Sequence, residues 1–177
     1  MIDYGLLAKQ IVSLAEVDAH WLPVLSNAAA LLWDALDDIN WAGFYLVDPA
    51  SVSGSEPGAA PSAVPIDNEL CTPELRLGPF QGKVACVRIP FGRGVCGTAA
   101  ATRTSQLIGD VHQFPGHIAC DSASNSEVVV PIFKDSQVVG VLDIDSPSVA
   151  RFTQEDLAGL EQVVKALENC ANFSDFC

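Results

Sequence analysis

Positive charge is scarce in this sequence. Nine lysines and arginines stand against 22 aspartates and glutamates, which gives a formal net charge of −13 and a pI near 4.3. A chain with this balance repels the phosphates of nucleic acids and of anionic membrane surfaces. We therefore expect neither nucleic acid nor a membrane among its partners. The charge makes no such argument against a small zwitterionic ligand.

Long apolar runs are also missing. Although 49% of the residues are hydrophobic, no run of about 18 uncharged apolar residues, the length of a membrane-spanning helix, occurs. The first residues, MIDYGLLAKQ, lack the basic start and the small-residue cleavage site of a secretory signal. We expect a cytoplasmic protein. Its 177 residues suffice for one domain whose core needs no metal or disulfide.

The spacings of zinc sites are absent as well. Six cysteines and three histidines include no CxxC or HxxxH pair, and only His117 and Cys120 stand close together, as HIAC. Two ligands do not complete a tetrahedral zinc site, so no metal is expected. In a cytoplasmic chain, these cysteines indicate free, catalytic or metal-bound thiols rather than a disulfide framework.

Hydrophobic periodicity predicts the fold class. Helices are expected from Tyr4 to about Glu16, from Trp21 to Leu36, from about Val95, and after Thr153 as the N-cap. Strands are expected at 41–48, after the insertion described below, at 84–90, in SQLIGD, and in EVVVPIF and QVVGVLDIDS, which KDS joins as a hairpin. This order predicts an α+β sandwich with a mostly antiparallel sheet.

One stretch of low complexity interrupts the pattern. Residues from about 49 to 73 are rich in proline, glycine, serine and alanine and show no period, which is typical of a flexible surface insertion. We expect a single domain over 1–170 that contains this insertion, followed by a C-terminal tail at 171–177.

Three cysteines lie in the ordered middle of the chain. Cys86 on an apolar strand is typical of a buried hydrophobic residue. Cys96 is expected in the first turn of a helix, where free N–H groups and the helix dipole stabilise a thiolate. Cys120, in a loop of small and polar residues, most resembles a nucleophile, although its neighbour Asp121 would raise a thiol pKa. Reversible thiol chemistry and simple burial remain equally open for this set.

Acidic and aromatic residues add a second signal. Asp143 and Asp145 project from one face of a strand, and Glu127 begins the partner strand of the same hairpin. Trp41 and Tyr45 alternate with core residues on another strand. Two interpretations fit these residues. The acids are solvated and the aromatics form an outer core layer, or the acids hold an amine in a pocket that has aromatic walls. Such a pocket with cooperating cysteines suits the reduction of an oxidised amino acid such as methionine sulfoxide.

Four segments in order carry a family resemblance. WAGFYLVD, LGPFQGKVACVRIPFGRGVCGTAA, SNSEVVVPIF and VVGVLDIDSP resemble the GAF-domain free methionine-(R)-sulfoxide reductases. The resemblance runs from the N-terminus to about Cys170, except for the insertion. It implies a GAF fold, α+β with a six-stranded antiparallel sheet flanked by helices, often found as a homodimer. It also implies the reduction of free L-methionine (R)-sulfoxide without a metal or organic cofactor.

The resemblance implies roles for the three central thiols by position. Cys120 matches the nucleophile that attacks the sulfoxide and becomes a sulfenic acid. Cys86 matches the resolving cysteine that closes a disulfide onto it. Cys96 matches a third cysteine that can join the exchange before a thioredoxin-type reductant restores the thiols.

The resemblance also implies a substrate site. Glu127, Asp143 and Asp145 match the acids that hold the substrate and help its oxygen leave, and Trp41 and Tyr45 match the aromatic wall near its methyl group. The insertion has no counterpart in the family. The remaining cysteines match no family role: Cys71, Cys170 and Cys177. Two alternatives stand beside this interpretation: a non-catalytic GAF module that senses a small ligand, and a metal-bound Cys/His protein.

Overall fold

A computed structural model describes residues 2–52, 73–116 and 123–176. Cys71, Cys120 and Cys177 lie outside these ranges, as do residues 53–72 of the predicted insertion. The first predicted residues of the insertion are described and form a short helix, Pro49–Val52, so the expectation of an irregular segment from residue 49 is wrong there.

The helices predicted from periodicity are confirmed. Their bounds are α1 (Tyr4–Ala15), α2 (Trp21–Ala35), α4 (Gly94–Thr102) and α5 (Gln154–Cys170), and the short helix Pro49–Val52, which was not predicted, is α3. Thr153 is the N-cap of α5, and its side chain and that of Asp156 exchange hydrogen bonds with each other's backbone N–H in a capping box. Among the described residues, no helix is long and apolar enough to cross a membrane.

The strands form one six-stranded sheet in which every neighbouring pair is antiparallel. They are β1 (Trp41–Val47), β2 (Glu74–Gly82), β3 (Arg88–Pro90), β4 (Gln106–Ile108), β5 (Ser126–Lys134) and β6 (Gln137–Ser146), in the order β3-β2-β1-β6-β5-β4. Asp135 and Ser136 turn the β5–β6 hairpin with positive φ angles of 47° and 65°. The predicted α+β class with this sheet is confirmed.

The two faces of the sheet pack against different partners. Ala42, Phe44 and Leu46 of β1 belong to the larger core, which α1, α2 and α5 cover. Trp41 and Tyr45, which alternate with them, belong to a smaller core beneath α4. The sheet therefore carries its helical core on one face and leaves the other for α4 and a pocket.

The strand predicted at 84–90 is mostly wrong. Only Arg88–Pro90 pairs, with the start of β2, while the end of β2 pairs with β1 alone. Beyond these, the carbonyl of Val87 accepts a hydrogen bond from Leu77 N–H of β2 over 3.0 Å, and Val84 and Val87 are 88% and 66% exposed. Cys86 therefore lies in an irregular, half-buried segment and not on a buried strand.

The segment after α5 was predicted to be a tail, but it packs on the domain. Phe173 is fully buried in the larger core, and Ser174–Phe176 form a 3₁₀ turn. Its Phe176 packs edge to face against Trp21 with ring centroids 5.2 Å apart.

Candidate functional site

A pocket lies between the second face of the sheet and the N-terminal end of α4. The sheet contributes Trp41, Tyr45, Glu127, Asp143 and Asp145, and α4 with its N-cap contributes Arg93, Gly94, Val95 and Cys96. Val84, Ala85, Ile89 and Ser124 complete the described wall. Its free volume is about 30 Å³, the space of about one or two water molecules.

The strand register brings the three predicted acids together. Glu127 of β5 stands opposite Asp145 of β6, and Asp143 lies two residues before it on the same face. The alternate residues Leu142 and Ile144 are buried in the larger core, as the period of a strand requires. The polar face of β6 thus lies in the pocket.

Burial dominates the electrostatics of these acids. Glu127 and Asp143 are only 6% and 5% exposed. Burial, then the charges of Asp143 and Asp145, raises the pKa of Glu127 well above its usual range, and burial raises the pKa of Asp143 to about 6. Asp143 Oδ1 has no hydrogen-bond partner among the described residues. Burial thus favours the protonated form of Glu127 most strongly, while Asp143 titrates at about pH 6.

Cys96 is a neutral thiol, so the thiolate predicted for the helix start is wrong. Its Sγ donates a hydrogen bond to Glu127 Oε1 over 3.8 Å. Burial, and then the charges of Asp143 and Glu127, raises the pKa of the Cys96 thiol well above its usual value. The position in the first turn of α4 is as predicted. The dipole effect of a helix terminus is small, about 0.3–1 kcal/mol at an exposed site, and burial among carboxyl groups outweighs it.

An aromatic stack forms the apolar wall. The rings of Trp41 and Tyr45 are stacked with centroids 5.7 Å apart, and Phe80 stacks on Trp41 at 5.3 Å. Trp41 Nε1 donates to the carbonyl of Lys83 over 3.2 Å, which fixes the indole. Both predicted aromatics line the pocket. Both are also buried in the smaller core, so the other predicted location, an outer core layer, is correct too. Phe80 was not predicted.

The described cysteines differ in their bonding state. Cys86 is disulfide-bonded, and the neighbouring Ala85 lines the pocket. Cys96 and Cys170 are free. Cys120, the predicted nucleophile, lies outside the described residues, so its position relative to the pocket stays a prediction.

Two polar residues of the pocket were missed by the sequence interpretation. Ser124 Oγ accepts a hydrogen bond from Asn40 Nδ2 at 3.0 Å. It opens the SNSE motif, which was the available signal. Arg93 precedes α4 as its N-cap residue and makes no side-chain capping bond. An exposed arginine in a glycine-rich turn carries no sequence signal of its own.

One cluster in the pocket has the donor set of a cation site. One ligand atom each from Cys96, Glu127 and Asp143 lie within 4.8 Å of one another, and all three residues are buried. A thiol with two carboxyl groups suits zinc better than magnesium or calcium. Binding would require these groups to release their protons, because the pKa values of all three are raised.

The chain resembles known proteins in sequence and in fold. The GAF domain model matches residues 22–170. The free methionine-R-sulfoxide reductase of Escherichia coli is 47% identical over 173 residues, which cover 98% of this chain and 91% of that protein. The solved fRMsr of Staphylococcus aureus in complex with substrate is 48% identical, with a TM-score of 0.77 and 97% of each chain covered. The free methionine-R-sulfoxide reductase of Neisseria meningitidis, solved with its substrate, is 42% identical, with a TM-score of 0.78 and 94% and 86% covered.

Proposed function

Because the chain belongs to the GAF domain family and, within it, to the free methionine-(R)-sulfoxide reductases, we propose that it reduces free L-methionine (R)-sulfoxide to L-methionine. One observation carries the proposal beyond the family: Glu127, whose pKa is raised well above its usual range, and Asp143, with a pKa of about 6, lie together in a pocket with an aromatic wall. Reduction of a sulfoxide needs a proton for the departing oxygen, and a free amino acid brings an ammonium group to be held.

The acids divide these tasks. Asp143, ionised and with one oxygen unpartnered among the described residues, accepts the substrate ammonium together with Asp145. Glu127, whose pKa burial raises well above its usual range, donates a proton to the sulfoxide oxygen. Trp41 and Tyr45 contact the methyl group and the side-chain methylenes. A residue inside a peptide has no ammonium group and is excluded.

The redox step runs through thiols. The thiolate of Cys120 attacks the sulfoxide sulfur and forms an S–S bond while the oxygen takes up a proton. The hydroxyl group then passes to the Cys120 sulfur as the S–O and S–S bonds break, so methionine leaves with two electrons and Cys120 becomes a sulfenic acid. The thiol of Cys86 then displaces this oxygen as water and forms a disulfide, so the two cysteines together lose the two electrons that the sulfoxide gains. A thioredoxin-type dithiol reduces the disulfide.

The bonding state of the described cysteines supports this sequence. Cys86 is disulfide-bonded while Cys96 and Cys170 are free, so among these three cysteines Cys86 is the one in the oxidised state that a resolving cysteine reaches. Cys96, a buried neutral thiol, is a poor nucleophile in this state and takes part only in later exchange.

Thiol titration tests the proposal against the alternative of a sensing module. The fully reduced protein is mixed with one equivalent of free L-methionine (R)-sulfoxide, and free thiols are counted before and after. The proposal predicts that two thiols disappear for each methionine formed. A GAF module that only senses a ligand keeps all its thiols and forms no methionine.

A further inference from the structure

We propose that Cys96, Glu127 and Asp143 form a binding site for one zinc ion. The ion is not a cofactor of the reaction. While it is bound, it occupies the carboxyl groups that the proposed function assigns to the substrate and to proton transfer, so it inhibits the enzyme. The inhibition rests on the proposed function, whereas the binding of zinc does not.

The ligand atoms of these residues lie near the positions that tetrahedral zinc requires. The sulfur of Cys96 and one carboxyl oxygen each of Glu127 and Asp143 lie within 4.8 Å of one another, and Cys96 Sγ is 3.8 Å from Glu127 Oε1. Zinc bonds of about 2.3 Å to sulfur and about 2.0–2.2 Å to oxygen place such a pair about 3.5 Å apart at the tetrahedral angle. A contraction of about 1 Å therefore closes the set around one ion.

The surrounding elements fix the ligands and leave one position for water. Glu127 and Asp143 stand on the paired strands β5 and β6, and Cys96 lies in the first turn of α4, which packs on them. The free volume of about 30 Å³ in the pocket that all three residues line is enough for an ion and a water ligand. Three protein ligands and one water are a common coordination of zinc.

A separate observation shows that the cluster is incomplete without a ligand. Asp143 is 5% exposed and lines the pocket, yet its Oδ1 has no hydrogen-bond partner among the described residues. A buried carboxyl oxygen without a partner costs free energy, and a bound cation removes that cost. The net charge of −13 also favours the approach of cations to the protein.

The sulfur atom decides which cation binds. A thiolate ligand favours zinc over magnesium and calcium, which prefer sites made of oxygen alone. Cys96 is free while Cys86 is disulfide-bonded, so the ligand sulfur is available in the oxidised protein. Coordination removes the proton of the thiol, which converts the neutral Cys96 into a zinc-bound thiolate.

Cobalt(II) titration of the oxidised protein tests the ligands, because the absorption spectrum of cobalt reports thiolate coordination and tetrahedral geometry. Wild type should bind one Co²⁺ with a thiolate-to-metal charge-transfer band, and one equivalent of Zn²⁺ should abolish that band. Cys96→Ser should lack the band. Asp143→Asn should bind about 100-fold more weakly or worse, since even the loss of an outer-shell partner costs about 10- to 100-fold. Cys170→Ser, which removes the other described free thiol, is the matched control and should behave as wild type.

X-ray absorption at the zinc edge tests the same site in the wild-type protein, without reliance on the folding of a variant. The spectrum should show one sulfur at about 2.3 Å, with the remaining ligands oxygen at about 2.0–2.2 Å. Two or more sulfur ligands, the absence of stoichiometric binding, or a full charge-transfer band in Cys96→Ser would overturn the site.

The inhibition is measured in a single turnover of the reduced protein with free L-methionine (R)-sulfoxide, with and without one equivalent of Zn²⁺. Zinc should remove most of the rate of methionine formation by wild type, a chelator should restore it, and zinc should slow Cys96→Ser by a smaller factor. An unchanged wild-type rate, or equal slowing of Cys96→Ser, would overturn the inhibition by this site. If the protein forms no methionine even without zinc, the proposed function has failed, while the cobalt and X-ray spectra still decide the metal site.

Discussion

Cys96 Sγ lies 3.8 Å from Glu127 Oε1, and both side chains are buried in the pocket between the sheet and α4. The contact joins a thiol to a carboxyl group, and burial raises the pKa of both. The raised pKa values favour a proton on the carboxyl group, next to a sulfur atom. That combination is what the reduction of a sulfoxide requires, and it suggests where the chemistry is most sensitive to substitution.

Glu127→Gln should lower kcat by about 10²- to 10⁴-fold, because the amide keeps the size of the side chain but donates no comparable proton. Wild-type activity should fall as the pH rises through the raised pKa of Glu127, since the ionised form is no longer an acid. The residual activity of the variant should lack that decline. Initial rates across pH 5 to 9 measure both effects, with exposed Glu155→Gln as the control.

Asp143→Asn should change the pH dependence of stability. The pKa of Asp143 is raised from 3.8 to about 6 in the folded protein. As the pH rises from about 4 to about 6, the unfolded chain releases this proton before the folded chain does, so the free energy of unfolding falls by up to about 3 kcal/mol. The variant should lose less stability over that window than wild type.

Urea unfolding at pH 4.5 and pH 7 measures the difference for Asp143→Asn, for wild type and for Asp34→Asn, whose side chain is exposed on α2. The Asp34 variant should follow wild type. If Asp143→Asn shows the same loss between the two pH values as wild type, Asp143 does not carry the raised pKa.

A single-turnover experiment with serine variants should distinguish the roles of the cysteines. Cys120→Ser should form no methionine. Cys86→Ser should form one equivalent and stop at a sulfenic acid, which mass spectrometry with a sulfenic-acid trap detects. Cys96→Ser should still close the disulfide, because its thiol is buried and neutral, and Cys170→Ser should behave as wild type. Methionine formed by Cys120→Ser would refute the assignment of the nucleophile.

Gly97→Ala should disturb the α4 side of the pocket. A Cβ at Gly97 would lie 2.3 Å from the carbonyl oxygen of Pro90, so α4 must move away from β3. Overpacking of this kind costs about 1–3 kcal/mol, which exceeds the gain of up to about 1 kcal/mol from alanine in a helix. We expect lower stability to urea and lower kcat/KM.

Gly109→Ala is the matched control for that substitution. The nearest atom to a Cβ at Gly109 is Ala150 Cβ at 3.8 Å, an ordinary contact. The control should keep wild-type stability and activity. If the two alanine variants are equally stable, the close approach at Gly97 does not constrain the helix.

Local patterns predicted the parts of this fold that depend on local physics. The alternation in WAGFYLVD placed Phe44 in the core and Tyr45 on the opposite face because a strand has a period of two. The same period placed Asp143 and Asp145 together. Thr153 predicted the start of α5 because a capping box is complete within four residues.

The predictions that were wrong or missing concern features that tertiary structure decides. The first turn of α4 was placed correctly, but the ionisation of Cys96 is decided by carboxyl groups from β5 and β6, which lie far away in the chain. Cys86 is not on a strand because the bonding of its segment to β2 ends at Val87, which the valines alone do not reveal. Arg93 was missed because its proximity to the acids arises only when α4 packs on the sheet.

The most direct test is chiral chromatography of methionine sulfoxide during turnover. The reduced protein, with a thioredoxin-type reductant, is given a mixture of both sulfoxide epimers of free L-methionine and, in parallel, of N-acetyl-L-methionine. The proposed function predicts that only the (R) epimer of the free amino acid disappears, with an equal amount of methionine formed. No loss of free (R)-sulfoxide, or equal loss of the N-acetylated (R)-sulfoxide, would contradict it.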